Sequence, residues 1–443
     1  MHHAALNYEP DGINASTKIS KAAKGNQLNK TLQVNGSVTR VTDLSTLVGA
    51  NAIPVDYLII THSSLFNSNS LTTLANHRRD YNGYDVVICQ VDASGSNNDI
   101  YDYEDTPGHI KYPSTLTTRY LSVRNFIADV YTNGQANHTG DGHLGYILLA
   151  GDALQDNNSN VMVPAATPSY YGGYEQGGDY YYTCTGGDAD DFQDVMYGRL
   201  SVGNETELNN VVNKINSYEA NTNGNWNSNS TFVSFSPDLW YDYSSDNAIR
   251  DMTAIIPPTI QKSYAFRAYN TDPTSLVTEA NPIYEQRFTE NQFNGIPPFP
   301  PDDPYNLCGA KLLEDWLYTK INSGIHTFVY EGHGGRDALG ANEGCGRYIF
   351  KSSYIFPPCG YEDNTINTRL ANNFYSFMIF NSCDAGHLDH TSGDCVAEAV
   401  VNIANKGAIG VVASSRDSDT GGFGVVDKLI VAAQYNSLSH IMG

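Results

Sequence analysis

Basic residues are scarce in this chain: 25 Lys and Arg stand against 48 Asp and Glu, a formal net charge of −23 over 443 residues. A surface so acidic repels phosphate backbones and anionic headgroups, which argues against nucleic acid or an anionic membrane as partners. Long hydrophobic runs are missing as well. The longest, such as Tyr146–Ala150 and Ala408–Ala413, fall far short of the roughly 20 apolar residues a spanning helix needs, so no transmembrane segment is expected. The opening MHHAALNYEPDG has neither the basic start nor the apolar stretch of a signal peptide. On that reading the protein is not exported, or the chain is a fragment or a processed piece.

Several chemical signatures are absent too. No two cysteines sit at CxxC spacing, which disfavours a structural zinc site. There is no HExxH for a zinc peptidase, no GxSxG elbow for a serine hydrolase and no GxGxxG behind the first strands for a dinucleotide. No cofactor is therefore required. EF-hand spacing is lacking, although Asp188, Asp190 and Asp191 lie close enough together for an oxygen-rich structural calcium site.

What the chain does contain is a globular composition, 40% hydrophobic with 31 Tyr and 39 Gly, long enough for two lobes. Its many Asn, Ser, Thr, Gly and Tyr residues suit an extracellular or secreted protein with long loops. The cysteine count of 7 is odd. With Cys383 kept free, Cys89, Cys184, Cys308, Cys345, Cys359 and Cys395 remain, and six cysteines allow 15 pairings that sequence does not choose among. Buried free thiols in a reduced compartment are the alternative. Cys345 and Cys359 bracket a stretch with little apolar content, and a disulfide between them would stabilise it by about 3 kcal/mol.

Residues 1–52 read as a poorly ordered polar segment or the remnant of an upstream domain. Asp56–Thr61 is then a buried strand, Leu71–Tyr81 a helix, Tyr84–Val91 a strand, Ser114–Tyr131 a helix and Tyr146–Ala150 a strand. Strands alternating with helices predict a parallel sheet. A long Gly/Tyr/Asp-rich stretch (155–194) leads to a strand at Val195–Val202 and a helix over Glu205–Tyr218, which completes a first α/β subdomain, 53–220. Asn221–Ser230 is the best linker. A second α/β subdomain, 231–443, opens with the strand Thr231–Phe235. Its stretch 236–309 is irregular and Pro-rich, with PPFPPDDP as an extended spacer. The helices Ala310–Asn322 and Asp394–Asn405 and the strand Ala408–Ala413 follow.

Two stretches carry the chemistry: IHTFVYEGHGG from Ile325 and FYSFMIFNSCDAG from Phe374. Each is a β-branched and aromatic run that stops at a small, polar, Gly-containing loop. In a parallel sheet, groups just past the carboxyl ends of neighbouring strands converge on one crevice. The two loops would deliver His333 and Cys383 there. A thiol attacks only as thiolate, and an imidazole beside it supplies the base. The Gly334 and Cys383 N–H groups are candidates for an oxyanion hole. In isolation each loop is a tight turn with an incidental His or a packed Cys. Their pairing on two strand ends points to a cysteine peptidase.

The order DYLIIT, YILLAGD, a Tyr-rich segment closing in YGRLSV, then YEGHGG, NSCDAG and DCVAEAVVNIANKGAIGVVASS resembles the gingipain family of cysteine peptidases. That family belongs to the caspase-like clan with legumain and clostripain. The resemblance implies a caspase-like three-layer α/β/α fold with two subdomains and mostly parallel sheets. It also implies a Cys383–His333 dyad working through an acyl-enzyme on protein or peptide substrates. A carboxylate from the first subdomain reaches the site in that family. Its counterpart segment here, GGDYYYTCTGGDADDF, offers Asp179 and Asp188. Asp179 is the candidate to orient His333, and Glu331 is the alternative. Asp188 is the candidate for the floor of the pocket that takes the residue before the scissile bond. A carboxylate there pairs with Arg or Lys and is left unpaired by a neutral side chain, so cleavage after basic residues is expected. Solvated or calcium-binding roles for both aspartates are the alternative. The 341–373 stretch reads as a Cys-bearing insertion between the dyad residues, and the β-sandwich and surface-sorting regions that such enzymes often carry are absent. A monomer is expected. From another class, the chain would be a catalytically inactive, peptidase-like adhesion or binding module.

Overall fold

The computed structural model describes residues 36–92, 99–101, 119–139, 141–153, 162–166, 169–170, 174–175, 178–186, 190, 192–220, 228–235, 244–268, 286–289, 309–341, 347–352, 365–390, 393–417 and 430–431. The chain divides into two compact units between Val212 and Asn213, with Leu388–Gly393 counted in the first.

The unit from the first half of the chain is built on a sheet of five parallel strands. They are β1 (Val38–Arg40), β2 (Tyr57–Thr61), β3 (Val86–Gln90), β4 (Tyr146–Ala150) and, after a small hairpin of β5 (Ser169–Tyr170) and β6 (Tyr174–Glu175), β7 (Met196–Leu200). Their order is β1-β3-β2-β4-β7. The helices here are α1 (Ser63–Phe66), α2 (Asn69–Asn82), α3 (Arg119–Asn133) and the first half of α4 (Glu205–Ala220), whose residues from Asn213 on count with the other unit. Alternate residues face opposite sides of a strand. Accordingly Leu58, Ile60, Val87, Cys89, Ile147 and Leu149 share one core with Val123, Phe126, Ile127 and Val130 of α3. The interleaved Ile59 and Ile88 are equally buried.

The polar stretch before residue 52 contributes more than its composition indicates. Val38–Arg40 pairs in parallel with β3, and Leu44 and Leu47 are fully buried. An edge strand of this length takes its order from the neighbour's hydrogen bonds and needs no apolar periodicity of its own. Residues 1–35 and the start of the expected helix (114–118) lie outside the described residues, as does most of the linker (221–227).

The other unit has six parallel strands: β8 (Asn229–Phe235), β9 (Gln261–Ala268), β10 (Gln286–Thr289), β11 (Thr327–Gly332), β15 (Ser376–Asn381) and β16 (Ala408–Ala413), in the order β10-β9-β8-β11-β15-β16. Between β11 and β15 runs a small antiparallel sheet of β12 (Gly334–Gly335), β13 (Ala338–Ala341) and β14 (Arg347–Lys351). Its helices are α5 (Ser244–Ile255), α6 (Gly309–Asn322), α7 (Ile366–Arg369) and α8 (Val396–Asn402). Phe328, Tyr330, Met378 and Phe380 meet Leu317 and Ile321 of α6 and Val396 and Val400 of α8 on one face. Val329 and Ile379 meet Ile249 and Met252 of α5 on the other. The result is a three-layer α/β/α sandwich.

Two parts of this unit correct the reading from sequence. The stretch 236–309 is not wholly irregular: it holds α5, β9 and β10, and Ile249 and Met252 of α5 are buried, as is Ile256 just past its end. The 341–373 insertion also has an apolar anchor. Phe350 is fully buried against the rings of Tyr318, Phe328 and Phe380, at centroid distances of 5.7, 6.2 and 5.9 Å. Cys345 and Cys359, the proposed disulfide pair, lie outside the described residues, and so do Cys308 and the PPFPPDDP spacer.

Candidate active site

β11 and β15 are neighbours in parallel register, with Glu331 opposite Asn381. His333 and Cys383 therefore each stand two residues beyond the same rung, on strands about 4.8 Å apart. Below them the Asn381 amide donates to Glu331 Oε2 at 2.5 Å, and both side chains are buried. Glu331, the alternative orienter, is thus bonded across the strand pair beneath the site.

The His333 loop turns at Gly332, whose φ of 152° lies where side chains are disfavoured. The His333 carbonyl is fixed twice, by the Tyr330 hydroxyl at 2.5 Å and by the Gly340 N–H at 2.9 Å. This leaves the His333 side chain exposed. Gly334 is paired with Leu339 in the β12–β13 ladder. The bond to His333 from Gly340 makes Gly334 and Leu339 a non-hydrogen-bonded pair, so the Gly334 N–H points away from β13. That orientation suits an oxyanion donor.

The Cys383 loop is held equally firmly. Asp384 takes a left-handed conformation, φ 55°, of the kind that clusters at functional sites because the surroundings must enforce it. Its N–H donates to Arg416 O at 3.1 Å, and Gly386 N–H donates to Ser414 O at 2.8 Å. Cys383 itself is half-buried. The other three described cysteines are free thiols in the core, and burial pushes the thiols of Cys89, Cys184 and Cys395 up. They are poor thiolates at neutral pH. Among the histidines of this unit, burial lowers His326 to about 4 and keeps it neutral, whereas His333 sits in the open loop.

Asp179, in the first unit, is buried and held by a bidentate ion pair. Arg199 Nε donates to its Oδ2 at 2.7 Å and Arg199 Nη2 to its Oδ1 at 2.8 Å. Arg199 also donates to the carbonyls of Gly151, Val163 and Pro164, at 2.7, 2.8 and 3.0 Å. All five guanidinium N–H groups are used. Sequence reasoning passed over Arg199 because a single Arg in YGRLSV carries no signal of burial. Asp188 and Asp191 lie outside the described residues. Asp190 accepts from Gly186 N–H at 2.7 Å and Phe192 N–H at 3.0 Å.

Asp56, Asp85 and His138 bring their ligand atoms within 4.8 Å of one another. Yet Asp56 accepts from the N–H groups of Asp85, Asn137 and His138 and from the His138 ring. Asp85 accepts from Ser37 and from the Asn137 amide. With its oxygens already met by donors, the trio is a buried polar knot that fits no cation.

Among solved structures, the Arg-specific cysteine proteinase gingipain R (RgpB) is similar at a TM-score of 0.52 and 15% identity, over 87% of this chain and 70% of that one. A complex of Porphyromonas gingivalis RgpB pro- and mature domains matches at 0.48 and 15%, over 82% of this chain and 64% of that one. A structure described as a protease matches at 0.49 and 15%, over 83% and 61%. The chain thus spans less than two thirds of the length of the last two. At this identity the first likeness establishes the fold alone, a caspase-like α/β arrangement. The model of peptidase family C25 matches residues 50–441. The chain belongs to that family, the gingipain family of cysteine peptidases. No curated protein matches the sequence.

Proposed function

We propose that the chain is a cysteine endopeptidase with Cys383 as nucleophile and His333 as its base. His333 takes the thiol proton and the thiolate attacks the scissile carbonyl carbon. The resulting oxyanion is met by the N–H groups of Gly334 and Cys383. The imidazolium then returns the proton to the departing amine, leaving a thioester that water hydrolyses with His333 again as base. The observation that carries this reading is the level register of the two loops past Glu331 and Asn381.

Asp179 is the proposed orienting carboxylate. Arg199 fixes it with one bond to each oxygen, so among the described residues each keeps a lone pair for a second donor. Asp188 is the proposed recognition residue for Arg or Lys before the scissile bond. Further elements of the reading are two subdomains (53–220 and 231–443), protein substrates, a monomer, an extracellular setting and calcium as a structural ion only.

A set of fluorogenic peptides varying only in the residue before the scissile bond tests activity and specificity together. The intact chain should cleave basic peptides best, Cys383→Ala should cleave none while keeping its circular dichroism, and Asp188→Asn should lose the basic preference. Comparable turnover by Cys383→Ala would overturn the nucleophile. Equal turnover of neutral peptides by the intact chain would overturn the specificity alone. A chain that cleaves nothing and whose Cys383 resists thiol-reactive probes would be the inactive binding module.

A further inference from the structure

Helices leave the N–H groups of their first turn to be satisfied from outside. In α8 every one of them has a partner. Cys395 N–H donates to Glu398 Oε2 at 2.8 Å, and the Cys395 sulfur takes the Glu398 N–H in return, a capping box with a thiol where a hydroxyl usually stands. Ala399 N–H reaches Cys395 O at 2.9 Å. The two remaining donors leave the helix altogether. Val396 N–H bonds to Arg336 O at 2.7 Å, and Ala397 N–H bonds to Ala385 O at 3.1 Å.

Those two acceptors belong to the two site loops. Arg336 follows His333 on one, and Ala385 follows Cys383 on the other. A single helical turn is thus hydrogen-bonded to both loops. The helix is itself fixed along its length: Val396 and Val400 are sunk in the core, and the Lys214 ammonium donates to Val401 O at its far end. The burial of Val396 anchors the first turn from the core side, and the capping box closes it from the other.

We propose that Glu398 is a positioning residue for the dyad. Its carboxylate closes the box, the box aims the Val396 and Ala397 N–H groups, and these hold the His333 and Cys383 loops at one spacing. Glu398 is buried, 8% exposed, so it acts through the backbone and meets no substrate. The role rests on the Cys383–His333 reading.

The test is the pH profile of Cys383 alkylation by iodoacetamide, read by mass spectrometry on the Cys383 peptide, beside the melting temperature. In the intact chain the paired thiolate should react at pH 6 at least tenfold faster than a free cysteine. Glu398→Ala should lose most of that advantage when measured well below its melting temperature. Glu398→Gln keeps an acceptor for Cys395 N–H and should stay within about threefold of the intact chain. Should the alanine variant fail to fold, Glu398→Asp, too short to close the box, takes its place with the same expectation. A purely structural Glu398 would lower the melting temperature and leave the profile unchanged, and that result overturns the proposal. So does a Gln variant as impaired as the Ala one. A free-thiol profile in the intact chain would instead remove the dyad itself, and the positioning role with it.

Discussion

Gly334 lies against Ser382 so closely that a Cβ on residue 334 would stand 2.7 Å from the Ser382 Oγ and 2.8 Å from its Cβ. These are the neighbours of His333 and Cys383, so the two site loops touch at a residue that has no side chain. Ser382 is 1% exposed, and its hydroxyl has no hydrogen-bond partner among the described residues. The contact is therefore one of shape.

Gly334→Ala should force the loops apart, since contacts below 3.0 Å are not tolerated and Ser382 is too short to swing clear. Misplacing reacting groups by about 1 Å costs on the order of 100-fold in rate. Peptide cleavage should fall by at least tenfold with little change in melting temperature. Adding Ser382→Gly should restore much of it. Steady-state kinetics on the two single variants and the double variant check this as a cycle; full activity in Gly334→Ala would show that the loops yield.

How much of this was legible beforehand follows from where the information lies. The runs that became β11 and β15 announce themselves because strands buried on both faces are apolar throughout and end where glycine permits a turn. Val38–Arg40 announces nothing, because its order is borrowed from β3. The capping role of Cys395 was equally hidden, since Cys is not among the residues preferred at a helix start. The expected helix Asp394–Asn405 begins two residues late for that reason, at Val396. The contact of Gly334 with Ser382 joins loops 48 positions apart in sequence, and only the pairing of β11 with β15 brings them together.

Lys214 gives a prediction about pH. It is 1% exposed, and its ammonium donates to the carbonyls of Val401, Lys406 and Ala408. Burial lowers its pKa to about 7. The unfolded chain, with the ordinary value of 10.5, holds its proton across the interval where the folded chain has released it. Stability from this group is therefore flat below about pH 7 and rises as pH climbs toward 10.5. The full slope is about 1.4 kcal/mol per pH unit for one proton. Urea unfolding at pH 7.5 and 9.5 should show a steeper rise for the intact chain than for Lys214→Met. Parallel pH dependences would mean that Lys214 stays charged in the fold.

Arg199 and Asp179 separate a structural from a catalytic carboxylate. Arg199 spends its five N–H groups on Asp179 and on three carbonyls. Lysine has only three donors and cannot reproduce the fork. Arg199→Lys should destabilise by about 3 kcal/mol, because buried acceptors are left unpaired. Asp179→Asn should destabilise comparably, since the buried guanidinium loses its counter-charge. Activity is what distinguishes the two roles. If Asp179 also orients His333, Asp179→Asn assayed well below its melting temperature should lose at least tenfold in kcat, with KM nearly unchanged and the acid limb of the pH–rate profile moved. Arg199→Lys keeps the carboxylate and should retain most of kcat under the same conditions. Equal kcat losses in the two variants, or none in Asp179→Asn, would reduce Asp179 to the counter-ion of Arg199 and send the search for the orienting group elsewhere.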